Sequence, residues 1–365
     1  MLLRQEVFLP AHVEAGLTEA LTDFLHRRGT EDVAAGLDPA VVDALTGLAL
    51  AGGKRLRPAF AWWGWCAGGG APDAAEVVRA LVALELLQCS ALVHDDVMDR
   101  SRTRRGQPTA HLRFARAHRS AGWSGDADRF GDGVAILVGD LALAWADDAL
   151  ATAGLAADEL CRARRPWQAM RTEMIAGQYL DLRAHAKGED ALPALLRVAR
   201  LKTASYTVER PLQLGLALAG APAPVVERLR EYGRALGVAF QLRDDLLGVF
   251  GDPAVTGKPV SDDLREGKRT PLLVTGRRLA ERAGHTEASA LLGAILDGGG
   301  AFPVDESTVD SVRATLEHVG AVAAIEEMVN EHTATALAAL AKANLTEPVT
   351  RRLGTLARTL TRRDH

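Results

Sequence analysis

The run His94-Asp95-Asp96-Val97-Met98-Asp99 closes a segment, Ala75 to Asp99, that has no Gly or Pro and is apolar nearly all round. Written as a helix, the run places Asp95 and Asp99 one turn apart on one face, about 6 Å along the axis. Two carboxylates held that close repel, and a cation relieves the repulsion. Hard oxygen ligands in ones and twos suit magnesium, which completes its shell with waters and substrate phosphates. A solvated helix end is the plainer reading of the same acids, but it leaves unexplained why they terminate a segment patterned for burial. A second acidic pair lies far downstream in Arg243-Asp244-Asp245-Leu246-Leu247-Gly248, following Gln241 on another apolar segment. Two such helices could hold several magnesium ions around one diphosphate and neutralise the charge that builds on it as it departs.

Cations accompany both pairs. Lys54, Arg55 and Arg57 stand within Gly52-Gly53-Lys54-Arg55-Leu56-Arg57-Pro58, Arg104 and Arg105 follow the first pair, and Lys202, Lys258 and Lys268 flank the second. Arginine grips phosphate oxygens in a bidentate fork and lysine acts as a point charge. Any one of these residues, taken alone, reads as a surface charge; their joint placement beside two acidic pairs points to a bound diphosphate.

The elements that must position these groups are helical. Ala, Leu and Arg dominate, Ile is scarce, and aromatic residues are 5% of the chain, so helix formers are plentiful and strand formers are not. The apolar fraction of 48% and charged fraction of 25% are those of a folded protein. Apolar segments at Val134–Ala151, Trp167–Ala186, Leu192–Ala219, Val225–Phe250, Thr270–Leu296 and Val309–Ala343 predict long helices in an all-α bundle, one domain over 1–365. The polar, glycine-dotted stretch from His111 to Gly133 reads as an exposed loop, a connector before a lid, and Gly251 to Gly267 reads as a second break. Trp62, Trp63 and Trp65 read as core or interface aromatics.

A net charge of −4 without a basic stripe gives a nucleic-acid partner no electrostatic support. Cys66, Cys89 and Cys161 show no paired metal spacing and read as thiols of a reducing compartment. The charged N-terminus lacks a secretory signal pattern, and Glu85, Gln88 and Asp140 interrupt the apolar stretches, so the expectation is a cytoplasmic protein with no membrane span.

With these residues in view, the chain resembles the all-trans isoprenyl diphosphate synthases, the polyprenyl synthetase family. The resemblance is carried by Gly52 to Pro58, by Asp95-Asp96-Val97-Met98-Asp99 with Arg104-Arg105-Gly106, and by Gly177-Gln178-Tyr179-Leu180-Asp181. It continues through Lys202-Thr203, Phe240-Gln241-Leu242-Arg243-Asp244-Asp245, Gly257-Lys258 and Gly267-Lys268-Arg269, in the family's order over roughly Gly52 to Leu273. It implies a helical bundle around a deep central cavity, a homodimer, and three Mg2+ ions bridging the acidic motifs and an allylic diphosphate. It further implies that Asp95, Asp99 and Asp244 are metal ligands, and that Lys54, Arg57 and Arg105 hold isopentenyl diphosphate. On the same basis Arg104, Lys202, Lys258 and Lys268 hold the allylic diphosphate, while Lys202, Thr203 and Gln241 steady the developing allylic cation. The reaction would be ionisation of the allylic carbon–oxygen bond, attack by the isopentenyl double bond and loss of a proton.

Two positions depart from the pattern. Gly248 stands where many relatives have a third Asp, and Gln88 where many have a His that contacts isopentenyl diphosphate; Gln still donates a hydrogen bond. Product length is read from the turn before Asp95, where Ser90 and Ala91 are small. The growing tail would therefore pass them and stop near Leu87, about 12 Å along the helix from Asp95, or one turn beyond at Leu84. The first motif also resembles actinobacterial geranylgeranyl-type synthases, so a C20 product is expected, with C15 and C25 or longer as alternatives. Competing readings fare worse. A helical metal phosphohydrolase would need further His ligands, and His111, His118 and His185 lack the spacing. A silent partner subunit of a heteromeric synthase tends to lose Asp95, Asp99, Arg104 or Arg105, and a terpene cyclase has no use for Lys54, Arg57 and Arg105.

Overall fold

The computed structural model describes residues 8–251, 262–298 and 304–362. Among the described residues the chain is all-α except for one short hairpin, in which Thr103–Arg104 pairs antiparallel with Gln107–Pro108 immediately after the first acidic run. The chain divides into two compact units. One gathers everything up to Arg164 together with Leu214–Gly220, and the other gathers Arg165–Gln213 together with the chain from Ala221 onward.

The first unit is built from α1 (Ala11–Ala34), α2 (Pro39–Leu50), α3 (Leu56–Ala67), α4 (Ala75–Ala80), α5 (Val82–Met98), α6 (Ala110–Ser120) and α7 (Ala127–Ala151). Helix α5 packs along α7, and α6 packs against α7 and touches α5. Val13, Leu17 and Leu21 recur at helical spacing on α1 and are fully buried. Phe24 meets Trp145 edge-on at 6.2 Å, and the Trp145 indole N–H donates to Asp32 at 2.9 Å, so the ring's polar handle is satisfied. Trp62 and Trp65 are core residues. The segment Ala75–Met98 is long and apolar enough to cross a membrane, yet 61% of its most apolar window is buried among neighbouring helices.

The polar stretch after His111 is not the loop its composition suggested. Helix α6 occupies most of it, because His111, Ala115 and His118, spaced i, i+4, i+7, form a buried face against α7 while the Arg residues between them point to solvent. Only the short link before α7, around Gly122 and Gly125, is irregular.

The second unit contains α8 (Ala157–Lys187) from Arg165 onward, α9 (Leu192–Ala199), a π-helix (Arg200–Glu209) and α11 (Ala223–Phe250), with α10 (Arg210–Leu218) leading out of the π-helix. A helical turn at Asp262–Arg265 and the helices Pro271–Ala283, Thr286–Asp297, Glu306–His318, Ala321–Ala341 and Glu347–Thr361 complete it. Helix α11 is its centre, packed by the π-helix and by Ala321–Ala341. Arg243 on α11 forks onto Glu326 with bonds of 2.6 and 2.7 Å, both side chains less than a tenth exposed, and the Tyr232 hydroxyl donates to the Leu353 carbonyl at 2.8 Å. Three helices expected to be continuous are divided. Gly284 and Gly320 adopt left-handed backbone, φ 74° and 78°, and end their helices there, while the expected Leu192–Ala219 helix becomes α9, the π-helix and α10.

The ten-residue π-helix is accommodated by absent side chains on both sides. A Cβ at Gly177 of α8 would lie 2.3 Å from the Lys202 backbone nitrogen, and a Cβ at Gly237 of α11 would lie 2.4 Å from Ala204 Cα. The widened turn thus fits only because two neighbouring helices carry glycine where they touch it. Gly237→Ala is expected to destabilise the protein by about 1–3 kcal/mol through overpacking against backbone that has no room to retreat, measured as a lowered denaturant midpoint at unchanged slope.

Candidate active site

In the first unit the acidic run ends α5. Asp99 is the C-cap residue, and its backbone N–H donates to the Asp95 carbonyl at 2.8 Å, so the two carboxylate-bearing residues are one turn apart. Asp96, between them in sequence, faces inward and is buried. Burial pushes its pKa up, and the hydrogen bonds and charge of Arg104 oppose that rise. Arg104 reaches back from the hairpin and donates to Asp96 Oδ1 through Nε, at 3.0 Å, and through Nη2. Asp96 therefore serves as the tether of Arg104, and the Asp95 and Asp99 charges add to the hold. His94 has a structural place: its Nε2 lies 3.1 Å from the Ile136 carbonyl and 3.4 Å from an Asp140 oxygen on α7.

The basic group near the N-terminus gathers in the same unit around an acid that the sequence reading treated only as a break in an apolar run. Glu85 of α5 accepts from Arg55 at 2.8 Å, with 8% and 12% of the Arg55 and Glu85 side chains exposed. Burial pushes the Glu85 carboxyl up, and Arg55, Arg57 and Arg105, in that order, pull it down. Arg55 enters α3 with left-handed backbone, φ 48°, and Arg105 in the hairpin, φ 53°, donates to the Leu48 carbonyl at 3.2 Å. Three cations thus surround one buried carboxylate, Lys54 beside them is exposed, and Gln88 lies half-buried one turn along α5 from Glu85. An acid within the largely apolar run from Ala80 to Val93 was the signal available in the sequence. Cys89 sits in the same surroundings, its thiol pushed up to about 12, first by burial and then by Glu85, so it stays protonated.

Ser90, Leu87 and Leu84 are closed over by neighbours, 1%, 0% and 0% exposed, whereas Ala91 is only half-buried. Of the residues expected to limit product length, Ala91 is the one with an open side.

The second unit assembles the remaining residues. Lys202 Nζ lies 2.7 Å from the Asp181 carboxylate of α8, and Lys202 and Thr203 are both carried by the π-helix. On α11, Asp244 is exposed and Asp245 is buried. Gln241 Nε2 donates to Asp245 Oδ1 at 2.7 Å, which leaves the Gln241 carbonyl oxygen directed elsewhere. Burial holds the Asp245 carboxyl well above the ordinary carboxylate range, and the charges of Asp263, Asp244 and Asp181 push the same way. Its Oδ2 is buried with no hydrogen-bond partner. Lys268 pairs with Asp263 at 3.3 Å and Glu266 at 2.9 Å. Lys258 lies outside the described residues.

Carboxylates grouped at Asp95/Asp99 and at Asp244/Asp245 are the hard donors that magnesium takes, and a buried carboxylate oxygen lacking any donor is a place for a cation. Among the described residues no three His, Cys, Asp or Glu side chains close into a ready-made metal cage.

Acidic pairs beside tethered guanidinium and ammonium groups have the chemistry that suits an anionic substrate carried with a hard cation. Residues 38–296 match the model of the family described as polyprenyl synthetase, and the chain belongs to that family of prenyltransferases. It is 34% identical over 258 residues to the geranylfarnesyl diphosphate synthase of Aeropyrum pernix, covering 69% of this chain and 75% of that protein. It is 38% identical over 236 residues to a (2E,6E)-farnesyl diphosphate synthase of Mycobacterium tuberculosis; there the alignment covers 62% of this chain and 60%, less than two thirds, of the relative. Its fold is similar to the crystal structure of a geranylgeranyl pyrophosphate synthase from Corynebacterium glutamicum complexed with isoprenyl diphosphate and magnesium. The TM-score is 0.91 at 38% identity, over 99% of this chain and all of that one.

The π-helix that carries Lys202 is held to α8 by charge. Arg210, which follows it, donates to Glu173 through Nε at 2.8 Å and through Nη2, and Ser205 within it donates to the same carboxylate. Burial alone would raise Glu173, yet the Arg210 and Ser205 bonds bring it below its ordinary 4.5. A carboxylate whose folded pKa is depressed contributes stability that is complete above its unfolded pKa and is lost as pH falls through the folded value. Glu173→Gln should therefore lower the denaturant midpoint at neutral pH, and between about pH 6 and pH 3 that midpoint should decline less steeply than in the wild type.

Proposed function

We propose that this chain condenses isopentenyl diphosphate with an allylic diphosphate, dimethylallyl to farnesyl, to give a longer all-trans prenyl diphosphate, C20 geranylgeranyl diphosphate foremost. The observation that carries the reading is the pairing of each acidic motif with a cation held on a dedicated carboxylate: Arg104 on Asp96 beside Asp95 and Asp99, and Lys202 on Asp181 near Asp244 and Asp245. An acidic helix end without such cations could bind a metal but would have no grip on a second anionic substrate.

Bound magnesium, three ions in this reading, supplies neutralisation of the charge on the departing diphosphate. The chain's own groups do the rest. Arg104, Lys202 and Lys268 bind the allylic diphosphate, together with Lys258. Lys54, Arg57 and Arg105 bind isopentenyl diphosphate, with Arg55 held on Glu85 as the fixed member of that cationic group. Breaking the allylic carbon–oxygen bond sends its electron pair to the diphosphate. The Gln241 carbonyl, turned by the bond from its own amide to Asp245, and the Thr203 hydroxyl then face the allylic cation with electron density. The isopentenyl double bond attacks the cationic carbon, and the departed diphosphate accepts the proton that the adduct loses as its new double bond forms.

The reading extends to one functional domain, since the family match runs through residues assigned to both units. It also extends to a homodimer. Helix α7 exposes Ile136 and Leu137, 45% and 61%, and α8 exposes Ile175, Tyr179 and Leu182 at i, i+4, i+7 spacing, apolar surface that a second copy would cover. Cytoplasmic residence accords with three unpaired thiols.

The decisive experiment supplies purified protein with magnesium, labelled isopentenyl diphosphate and each allylic starter in turn, and separates products by chain length. Condensation to C20 is expected; no condensation with any starter defeats the reading. Asp95→Asn and Asp244→Asn should each lower kcat by about 10²-fold or more, the scale of losing a group that stabilises transition-state charge. Ala91→Phe should shorten the main product while leaving the first condensation intact, and an unchanged product would remove Ala91 from the path of the growing chain.

A further inference from the structure

Lys268 is followed by a buried charge cluster that the proposed reaction leaves unused. The Arg269 side chain is 5% exposed, and its guanidinium is the meeting point of three stretches of the second unit. Its Nη1 donates to Asp190, in the link between α8 and α9. Its Nη2 donates to the Asp297 carboxylate at 2.5 Å and to the Leu296 carbonyl at 3.3 Å, both in the last turn of the helix Thr286–Asp297. Arg277, in the helix Pro271–Ala283, closes the ring: its Nη1 lies 3.6 Å from the second oxygen of Asp190 and 3.1 Å from the second oxygen of Asp297. Two guanidinium groups and two carboxylates thus alternate around one junction.

The chain on either side of Arg269 is fixed as well. The Lys268 backbone N–H donates to the Asp263 carbonyl at 2.9 Å, the Thr270 N–H donates to the Lys268 carbonyl at 3.0 Å, and the Thr270 hydroxyl accepts from the Leu273 N–H at 3.3 Å. The other side of the cluster bears on Lys202. Asp181, which holds Lys202 at 2.7 Å, lies in the last two turns of α8, and Asp190 stands just before α9, which runs directly into the π-helix that carries Lys202. Burying a guanidinium is a poor way to gain stability, and the Arg269 Nε is buried with no partner. What a planar fork supplies is a fixed angle between the groups it joins.

We propose that Arg269 is a positioning residue for the allylic diphosphate, its fork onto Asp190 and Asp297 setting the distance between Lys268 beside it and Lys202 beyond the α8–α9 link. The inference rests on the proposed diphosphate chemistry and deepens it, since it names a residue that acts on one of the two substrates through the lysines that grip it.

The test measures initial rates of the chain with magnesium while each substrate is varied in turn, giving separate KM values for the allylic and the isopentenyl diphosphate. Circular dichroism and a denaturant midpoint follow the fold of each variant. Arg269→Met should raise the allylic KM about tenfold, less than a full ångström of misplacement causes, and keep the isopentenyl KM within about twofold. Arg269→Lys, which keeps the charge without the fork, should fall between. Lys268→Met should raise the allylic KM too, and adding Arg269→Met to it should raise it little further, because a spacing between two lysines has no meaning once one is gone.

An unchanged allylic KM in folded Arg269→Met overturns the assignment and leaves the proposed function standing. Equal rises in both KM values also overturn it, since they mark a general loosening, and so does a fully additive loss in the double variant. Should Arg269→Met fail to fold, Asp297→Asn removes the charge of one arm at unchanged shape: a raised allylic KM alone is expected, and no change overturns the assignment. No condensation by the wild type would instead undo the functional reading itself.

Discussion

The structure depends on keeping cations in place near acids without letting every acid be consumed by a cation. A guanidinium or ammonium group aimed at a diphosphate would collapse onto the nearest carboxylate if only one kind were present. This chain divides the labour. Asp96 tethers Arg104, Asp181 tethers Lys202, Glu85 tethers Arg55 and Glu173 tethers Arg210, each acid set on a helix and most of them half-buried or buried. Burial raises the cost of ionising such acids, and the paired cation offsets it. Of the motif acids, Asp95 and Asp99 are half-buried at the end of α5 and Asp244 is exposed on α11.

That division decides which features were legible in the sequence. The acidic pairs stood out because carboxylates rarely end apolar helices, and their helical spacing could be read directly. The helical class followed from composition and from the missing strand formers. The tethers were harder to see, since Glu85 and Asp96 look like an interruption and a motif member, and their partners Arg55 and Arg104 arrive from 30 residues before and 8 residues after. The reading of 111–133 went astray because polar composition was weighed above periodicity, although His111, Ala115 and His118 carried the helical repeat.

Fold and site meet in the π-helix. Its ten residues carry Lys202 and Thr203, its flanks touch Gly177 of α8 and Gly237 of α11, and its far end is fastened by Arg210 and Ser205 to Glu173. Single π turns often mark functional sites because they place side chains where an α-helix would not. Apolar periodicity alone predicts one unbroken helix here, and nothing in the residue types of Arg200–Glu209 announces the wider turn; the glycines on the neighbouring helices are the visible trace.

The widened turn also acts as a phase adjuster between two ordinary helices. Each α-helical residue advances the azimuth by about 100°, so a stretch wound more slowly delivers α10 in a different rotational register from the one that α9 would have handed on. Shortening Arg200–Glu209 by one residue to regain α pitch would swing Lys202 and everything upstream relative to Arg210. The loop-free connection between α9 and α10 is therefore as length-sensitive as a gear train, and it conserves register where a flexible linker would lose it.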